Sequence, residues 1–209
     1  MSIVSFSIYG QSVRFTYEPG YGIYSLDKLK TLQITMSKQL NELPVKTVVQ
    51  FPDYINHAVS IGFYMDKNNI FGFNASYLTT GGRNHISDYS GEYKLDMILN
   101  GYQLGIESEH IFNLNSKFDI NANFKLGLVI SNLDISEYLI IYDLDSNTTT
   151  SNYNQGSFFL EPNLNLTYNL KKGITVKVGT GLNFNTSVFN SQLIDWSGFR
   201  TRIGISYSF

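Results

Sequence analysis

Along most of this chain apolar and polar residues alternate one by one, and the polar partners are mostly glycine, asparagine, serine and threonine. Alternation with a period of two is the mark of a β-strand whose faces meet different surroundings. The last segment is the clearest case: Phe199, Thr201, Ile203, Ile205, Tyr207 and Phe209 share one face, opposite Gly198, Arg200, Arg202, Gly204, Ser206 and Ser208. Val176, Val178, Leu182 and Phe184 repeat the scheme against Thr175, Lys177, Gly179, Gly181 and Asn183. Phe158, Leu160, Leu164, Leu166 and Tyr168 do so against Glu161, Asn163, Asn165, Thr167 and Asn169. Phe118, Ile120, Ala122, Phe124, Leu126, Leu128 and Ile130 oppose Asp119, Asn121, Asn123, Lys125, Gly127 and Ser131. Four further segments, near 13–23, 58–65, 71–77 and 95–109, alternate less cleanly. In the last of these Leu95, Met97 and Leu99 have the opposite parity to Tyr102, Leu104 and Ile106. One extra residue reverses the face of everything beyond it, so a bulge is expected near Asn100-Gly101.

The character of the polar face decides what lies on each side. A soluble sandwich turns its polar face to water and favours lysine and glutamate there. Here that face is small and amide-rich, and its charges are few and of both signs. Such a set fits the inside of a small closed barrel, with the apolar face turned to lipid. Charged residues are only 15% of the 209, and aromatics reach 15%. No run approaches the ~18 consecutive apolar residues of a membrane-crossing helix. A formal net charge of −2 gives no basic footprint for nucleic acid, and none is expected as a partner. With no cysteine, disulfides, thiolate metal sites and thiol nucleophiles are excluded.

Connections fit the same picture. Short turns at 66–69, 113–116 and 171–173 alternate with long loops at roughly 25–56, 81–92, 134–156 and 187–196. That rhythm suits periplasmic turns and external loops, with both termini on the periplasmic side. The expected fold is therefore an all-β, closed antiparallel transmembrane barrel of about eight strands, occupying residues 11–209. Residues 1–10 read either as the remnant of a signal peptide or as a strand extension, since Val4, Phe6 and Ile8 also alternate. A soluble sandwich or lipocalin-like carrier is the rival architecture.

The final run Arg202-Ile203-Gly204-Ile205-Ser206-Tyr207-Ser208-Phe209 resembles the assembly signal of outer-membrane proteins, an alternating last strand with an aromatic terminal residue. With the strand rhythm, the chain resembles small OmpA/OmpX-type barrels, and its Asn-rich character is similar to barrels of Bacteroidetes. The resemblance implies residence in the outer membrane among its lipids. It also implies that Tyr207 and Phe209 are read by the barrel assembly machinery. The first long loop is longer than such barrels usually carry, and no functional residue transfers.

Candidate chemistry is sparse. Leu26, Leu29, Leu32, Met36 and Leu40 fall on one helical face within the first loop, with Ser25 placed to cap and Asp27 in the first turn. This short helix is either a lid over the barrel mouth or a packing element on its rim. Arg14, Glu18, Glu107, Glu109, Asp119, Lys125, Glu161, Lys177, Arg200 and Arg202 all fall on the inward face. They are expected to form a mixed-sign network that plugs the lumen, with Glu18 near Arg202 and Glu161 reaching across the space left by Gly181; an ion path or gate is the alternative. His85, Ser87 and Asp88 invite a hydrolase reading, but neighbours in one loop rarely converge as a triad must. No metal or cofactor site is expected: His57 and His110 lack clustered partners. Tyr54, Tyr77, Tyr93, Tyr102, Tyr168, Trp196 and Tyr207 would form aromatic girdles at the membrane interfaces. The function expected is non-enzymatic: envelope structure, or binding of a surface ligand or envelope protein through external loops. A lipid- or peptide-modifying enzyme and a narrow solute pore are the alternatives.

Overall fold

The computed structural model describes residues 12–38, 51, 54–89, 91–141, 146–187 and 193–209. Residues 1–10, Leu40 and most of the first loop's second half lie outside the described residues, as does the side chain of Tyr54. The strands are β1 (Val13–Tyr24), β2 (Tyr54–Tyr64), β3 (Asn69–Ser87), β4 (Gly91–Asn113), β5 (Phe118–Ile141), β6 (Ser146–Asn169), β7 (Ile174–Ser187) and β8 (Gly198–Ser208), with one helix, α1 (Asp27–Lys38). Each strand pairs antiparallel with its neighbour in sequence, and β1 pairs with β8, so the sheet closes into an eight-stranded barrel. Closure leaves no free edge in the part that lipid surrounds.

Small side chains close the short turns. Asp66 accepts from the backbone N–H groups of Asn68 and Asn69, both at 2.8 Å, and Asn115 does the same for Lys117 and Phe118 at 2.9 Å. At the third turn, Leu170 N–H donates to the Ile174 carbonyl at 2.8 Å.

The strands differ in length, and the difference organises the molecule. β1, β2, β7 and β8 have 12, 11, 14 and 11 residues; β3 to β6 have 19, 23, 24 and 24. A tilted strand crosses a bilayer in roughly 9–11 residues. The short strands therefore suffice to cross, while β3–β6 continue well beyond as an upright sheet. The segments expected as long loops at 81–92 and 134–156 are largely strand: β3 and β4 stay paired from Asn69–His110 to Ser87–Glu92, and β5 and β6 from Phe118–Tyr168 to Ile140–Ser146.

No bulge interrupts β4. Its register with β3 and β5 runs unbroken through Asn100 and Gly101. The parity of Leu95, Met97 and Leu99 is instead the inward parity of Gln103, Glu107 and Glu109, and all of these are buried. What changes near residue 100 is the solvent outside, so the preferred interior changes with it.

Candidate functional site

Two storeys share the barrel interior. In the periplasmic storey the outward face is apolar and open: Phe73, Leu104, Leu126, Leu164, Val178, Ile203 and Ile205 are all exposed, Ile203 at 61%. The inward face carries five basic side chains (Arg14, Lys125, Lys177, Arg200, Arg202) and five carboxylates (Glu18, Glu107, Glu109, Glu161, Asp119), all buried. Removing ions from water is costly, and only close pairing with further hydrogen bonds offsets that cost.

Three groups of pairs take up nine of these ten charges. Arg14 makes a two-pronged bond to Glu109, at 2.7 and 2.6 Å, and Asn121 donates to the same carboxylate at 2.8 Å. Glu18 lies between Lys177 at 2.7 Å and Lys125 at 3.0 Å, with Glu107 3.9 Å from Lys125. Glu161 accepts from Arg200 at 2.7 Å, from Asn183 at 3.0 Å and from Arg202. Asp119 accepts from Asn169 at 2.6 Å. The hydrogen-bonded partner of Arg202 is Glu161 rather than Glu18, which is taken up by the two lysines. The reach from β8 to β6 crosses β7 at Gly181, where a Cβ would collide with Asn163 Oδ1. Glycine there lets side chains of three strands meet.

Above this layer the interior turns apolar. Tyr93, Leu95, Met97 and Leu99 from β4, Val129 and Leu133 from β5, Phe159 from β6, and Leu26 and Leu29 beside and in α1 form one buried cluster with Ile194 and Trp196. Trp196 and Tyr93, expected in the outer girdle, are thus interior: Trp196 is fully buried and donates through Nε1 to Ser131 Oγ at 2.8 Å. Its ring lies over Gly101, where a Cβ would stand 2.8 Å from Cζ2. Tyr77, Tyr102 and Tyr207 do face outward and exposed. Tyr24 joins the storeys, edge-on to Trp196 at 5.4 Å and beneath the Arg200 guanidinium at 5.1 Å. The first-loop helix enters this upper core through Leu29 and the buried Gln33, which donates to Asn84 at 3.2 Å. It begins one residue later than Ser25 capping requires. Leu26, at φ 41°, turns the chain, and its carbonyl accepts from Lys30 N–H.

Outside the upper storey, charged and amide side chains stand on the outward face alongside the exposed Ile98. Asp96 is held between Arg83 at 2.5 Å and Lys94 at 3.0 Å, and Asn152 donates to Asp134 at 2.5 Å. Partial burial pushes the Asp96 carboxyl up, but its bonds and attraction to Arg83 and Lys94 outweigh that and hold it below the ordinary value. His85 pairs with Glu92 at 3.0 Å, while Asp88 accepts from Gly91 N–H at 3.2 Å to close the hairpin. Each is engaged in local hairpin contacts, and these do not join His85, Ser87 and Asp88 into a relay. Among the described residues no group of three or more His, Cys, Asp or Glu is arranged to hold a metal ion.

The apolar storey above the inward charges is absent from the sequence expectation. Its signal was present in the unbroken odd parity from Leu95 to Glu109.

No family model and no curated protein sequence matches the chain. Solved structures do. Neisserial surface protein A is similar at a TM-score of 0.51 with 14% identity, over 96% of this chain and 98% of that one. Ail of Yersinia pestis, solved with the heparin analogue sucrose octasulfate, is similar at 0.47 with 10% identity, over 95% and 99%. The N-terminal barrel domain of Pseudomonas aeruginosa OprF is similar at 0.44 with 10% identity, over 95% and 97%. The likeness is one of fold: this chain is an eight-stranded antiparallel barrel of the outer-membrane kind.

Proposed function

We propose that the chain is a non-enzymatic outer-membrane barrel that binds an extended peptide segment of a partner through its upright sheet. The supporting observation is the outer edge of β6. Among the described residues, β7 pairs with β6 only from Ser157 downward, so no described strand covers β6 from Ser146 to Gly156. Natural sheets guard such edges with lysine, proline or a bulge. The sequence Ser146-Asn147-Thr148-Thr149-Thr150-Ser151-Asn152-Tyr153-Asn154-Gln155 has no lysine or proline, and it stays in continuous register with β5. An added strand would gain its backbone bonds there. The described parts of β5 and β6 beyond the membrane carry Asp134 and Glu137 and no Lys or Arg, so the segment it suits is basic and alternating.

A pore is disfavoured by the ion pairs that bridge the lumen and the apolar layer that covers them; a hydrolase is disfavoured by the separate engagements of His85 and Asp88. The charged layer serves as structural filling of the lumen. In the last strand, Phe209 N–H donates to the Val13 carbonyl at 2.9 Å and its ring meets Tyr207 at 4.7 Å. Tyr207 and Phe209 so placed fit a signal for the assembly machinery, and a Bacteroidetes-like origin fits the composition.

The test is an array of extended peptides probed with the full chain in nanodiscs. Alternating peptides carrying Lys or Arg are expected to bind. Ser151→Lys, an inward-pointing charge on the edge, is expected to abolish binding while the barrel stays assembled. No binding by any peptide, or binding indifferent to Ser151→Lys, would overturn the proposal.

A further inference from the structure

One carboxylate stands on the inner face of the upright sheet. Parity along β5 sets Leu133, Ile135, Glu137 and Leu139 inside; Leu133 belongs to the upper core, and Ile135 and Leu139 pack against it. Glu137 lies among them, half-buried, paired with Leu95 of β4 and Thr149 of β6. The fully buried Tyr93 donates through Oη to Glu137 Oε1 at 3.1 Å. Among the described residues Oε2 has no hydrogen bond and the carboxylate has no ion pair. A neutral phenol thus orients the group and leaves its charge uncompensated on an apolar floor, where a charge is costly until it is paired.

The lumen below shows how such a charge is met. Arg200 of β8 reaches Glu161 of β6 at 2.7 Å across Gly181 of β7. Lys177 of β7 reaches Glu18 of β1 at 2.7 Å across Gly204 of β8. Each pair spans two strand spacings, roughly 9–10 Å, and the concave side of the sheet brings the ends together. For Glu137 the strand between is β6, and the third strand is the one β6 lacks. A basic side chain opposite Thr149 on an added strand would stand to Glu137 as Arg200 stands to Glu161. Thr149 takes the place of the glycine, and it is exposed, so a side chain can pass over it. Asp134 is not equivalent. It points to the convex outer face, where side chains two strands apart diverge, and Asn152 of β6 already donates to it.

We infer that Glu137 is the specificity determinant of the β6 edge, selecting in an extended segment added there a basic residue on the inward face opposite Thr149. The inference rests on the edge-binding reading and adds the place at which charge is read. A second copy pairing through its own β6 is a poor occupant. The described parts of its β5 and β6 beyond the membrane would bring another Asp134 and Glu137 and no Lys or Arg.

The test titrates the full chain in nanodiscs with alternating extended peptides that differ only in one central residue, Arg, Gln or Glu. The Arg peptide should bind about tenfold tighter than the Gln peptide, the worth of one charge-assisted bond at a half-buried site. Glu137→Gln should bring that ratio near one, Asp134→Asn should leave it unchanged, and Glu137→Lys should turn the preference to the Glu peptide. Tyr93→Phe keeps the ring and releases the carboxylate, so it should lower the ratio without weakening the Gln peptide. A ratio near one in the wild type, a ratio indifferent to Glu137→Gln, or one removed by Asp134→Asn would overturn the inference. The Gln peptide needs only the backbone ladder and should be blocked by Ser151→Lys. If it binds and is so blocked while Arg brings no advantage, the edge reading stands and this inference falls; if no peptide binds, both fall. A variant counts only if it keeps the wild-type heat-dependent gel shift of the assembled barrel. Should Glu137→Gln fail that check, Tyr93→Phe carries the test, and a ratio unmoved by it counts against Glu137.

Discussion

Along β3–β6 the lower and upper parts of the same strands follow opposite rules. On β4, Glu107 and Glu109 point inward below while Leu104 and Ile106 face out; above, Leu95 and Met97 point inward while Lys94 and Asp96 face out. The backbone does not change parity between them. The alternation separates two environments and leaves their identity to whatever surrounds the sheet. In lipid the apolar set goes out and the interior must be paired charge and amide; in water the apolar set goes in and forms an ordinary core.

The two interiors should fail differently. Glu161→Leu leaves Arg200 and Arg202 buried without their carboxylate and is expected to cost about 3–5 kcal/mol, the largest effect of any single change. It is read as loss of the folded band and of urea resistance in proteoliposomes. Leu133→Ala in the upper core should cost roughly 2–5 kcal/mol. Its signature is local: faster amide exchange in 91–99 and 132–141, with the membrane part protected. If Leu133→Ala loosened both storeys equally, the division would be wrong.

Outward substitutions sharpen the contrast. Ile203→Lys faces hydrocarbon and is expected to cost about 2–4 kcal/mol if it lies near the midplane. Thr150→Lys, also exposed but in water, should stay within about 0.5 kcal/mol in the absence of partner. The smallest effect is one of pH. The Asp96 carboxyl is held below its ordinary value, so its contribution is complete above about pH 4 and is lost as pH falls through the lower folded value. Amide protection in the β3–β4 extension, taken relative to the intrinsic exchange rate at each pH, should fall at acid pH, and Asp96→Asn should remove that fall.

Most of the lower storey was legible because lipid leaves the chain little choice: eight alternating segments, inward charges of both signs, and short turns marked by Asp66, Asn115 and Gly173. The upper storey was not. Gly81-Gly82 and the polar run Ser146–Asn154 have loop composition, and what makes them strand is pairing with β4 and β5, which no local pattern reports. Leu95, Met97 and Leu99 suggest a shifted register only if one solvent surrounds the whole strand. Trp196 is ambiguous for the same reason, since a tryptophan near a strand end suits a girdle and a core cap equally. The Tyr93–Glu137 bond is set by the fold, as the two residues are far apart in sequence and meet only in the β4–β5 register.

The most direct test uses the absence of cysteine. Single cysteines placed along β4 in proteoliposomes, at Asp96, Leu99 and Leu104, are treated with a water-soluble maleimide; the same positions carrying a fluorophore are exposed to brominated lipid. Asp96→Cys should label from water, Leu104→Cys should be shielded from water and quenched by the lipid, and Leu99→Cys should respond to neither. Labelling of Leu104→Cys from water, or quenching at Asp96→Cys, would contradict the change of surroundings near residue 100.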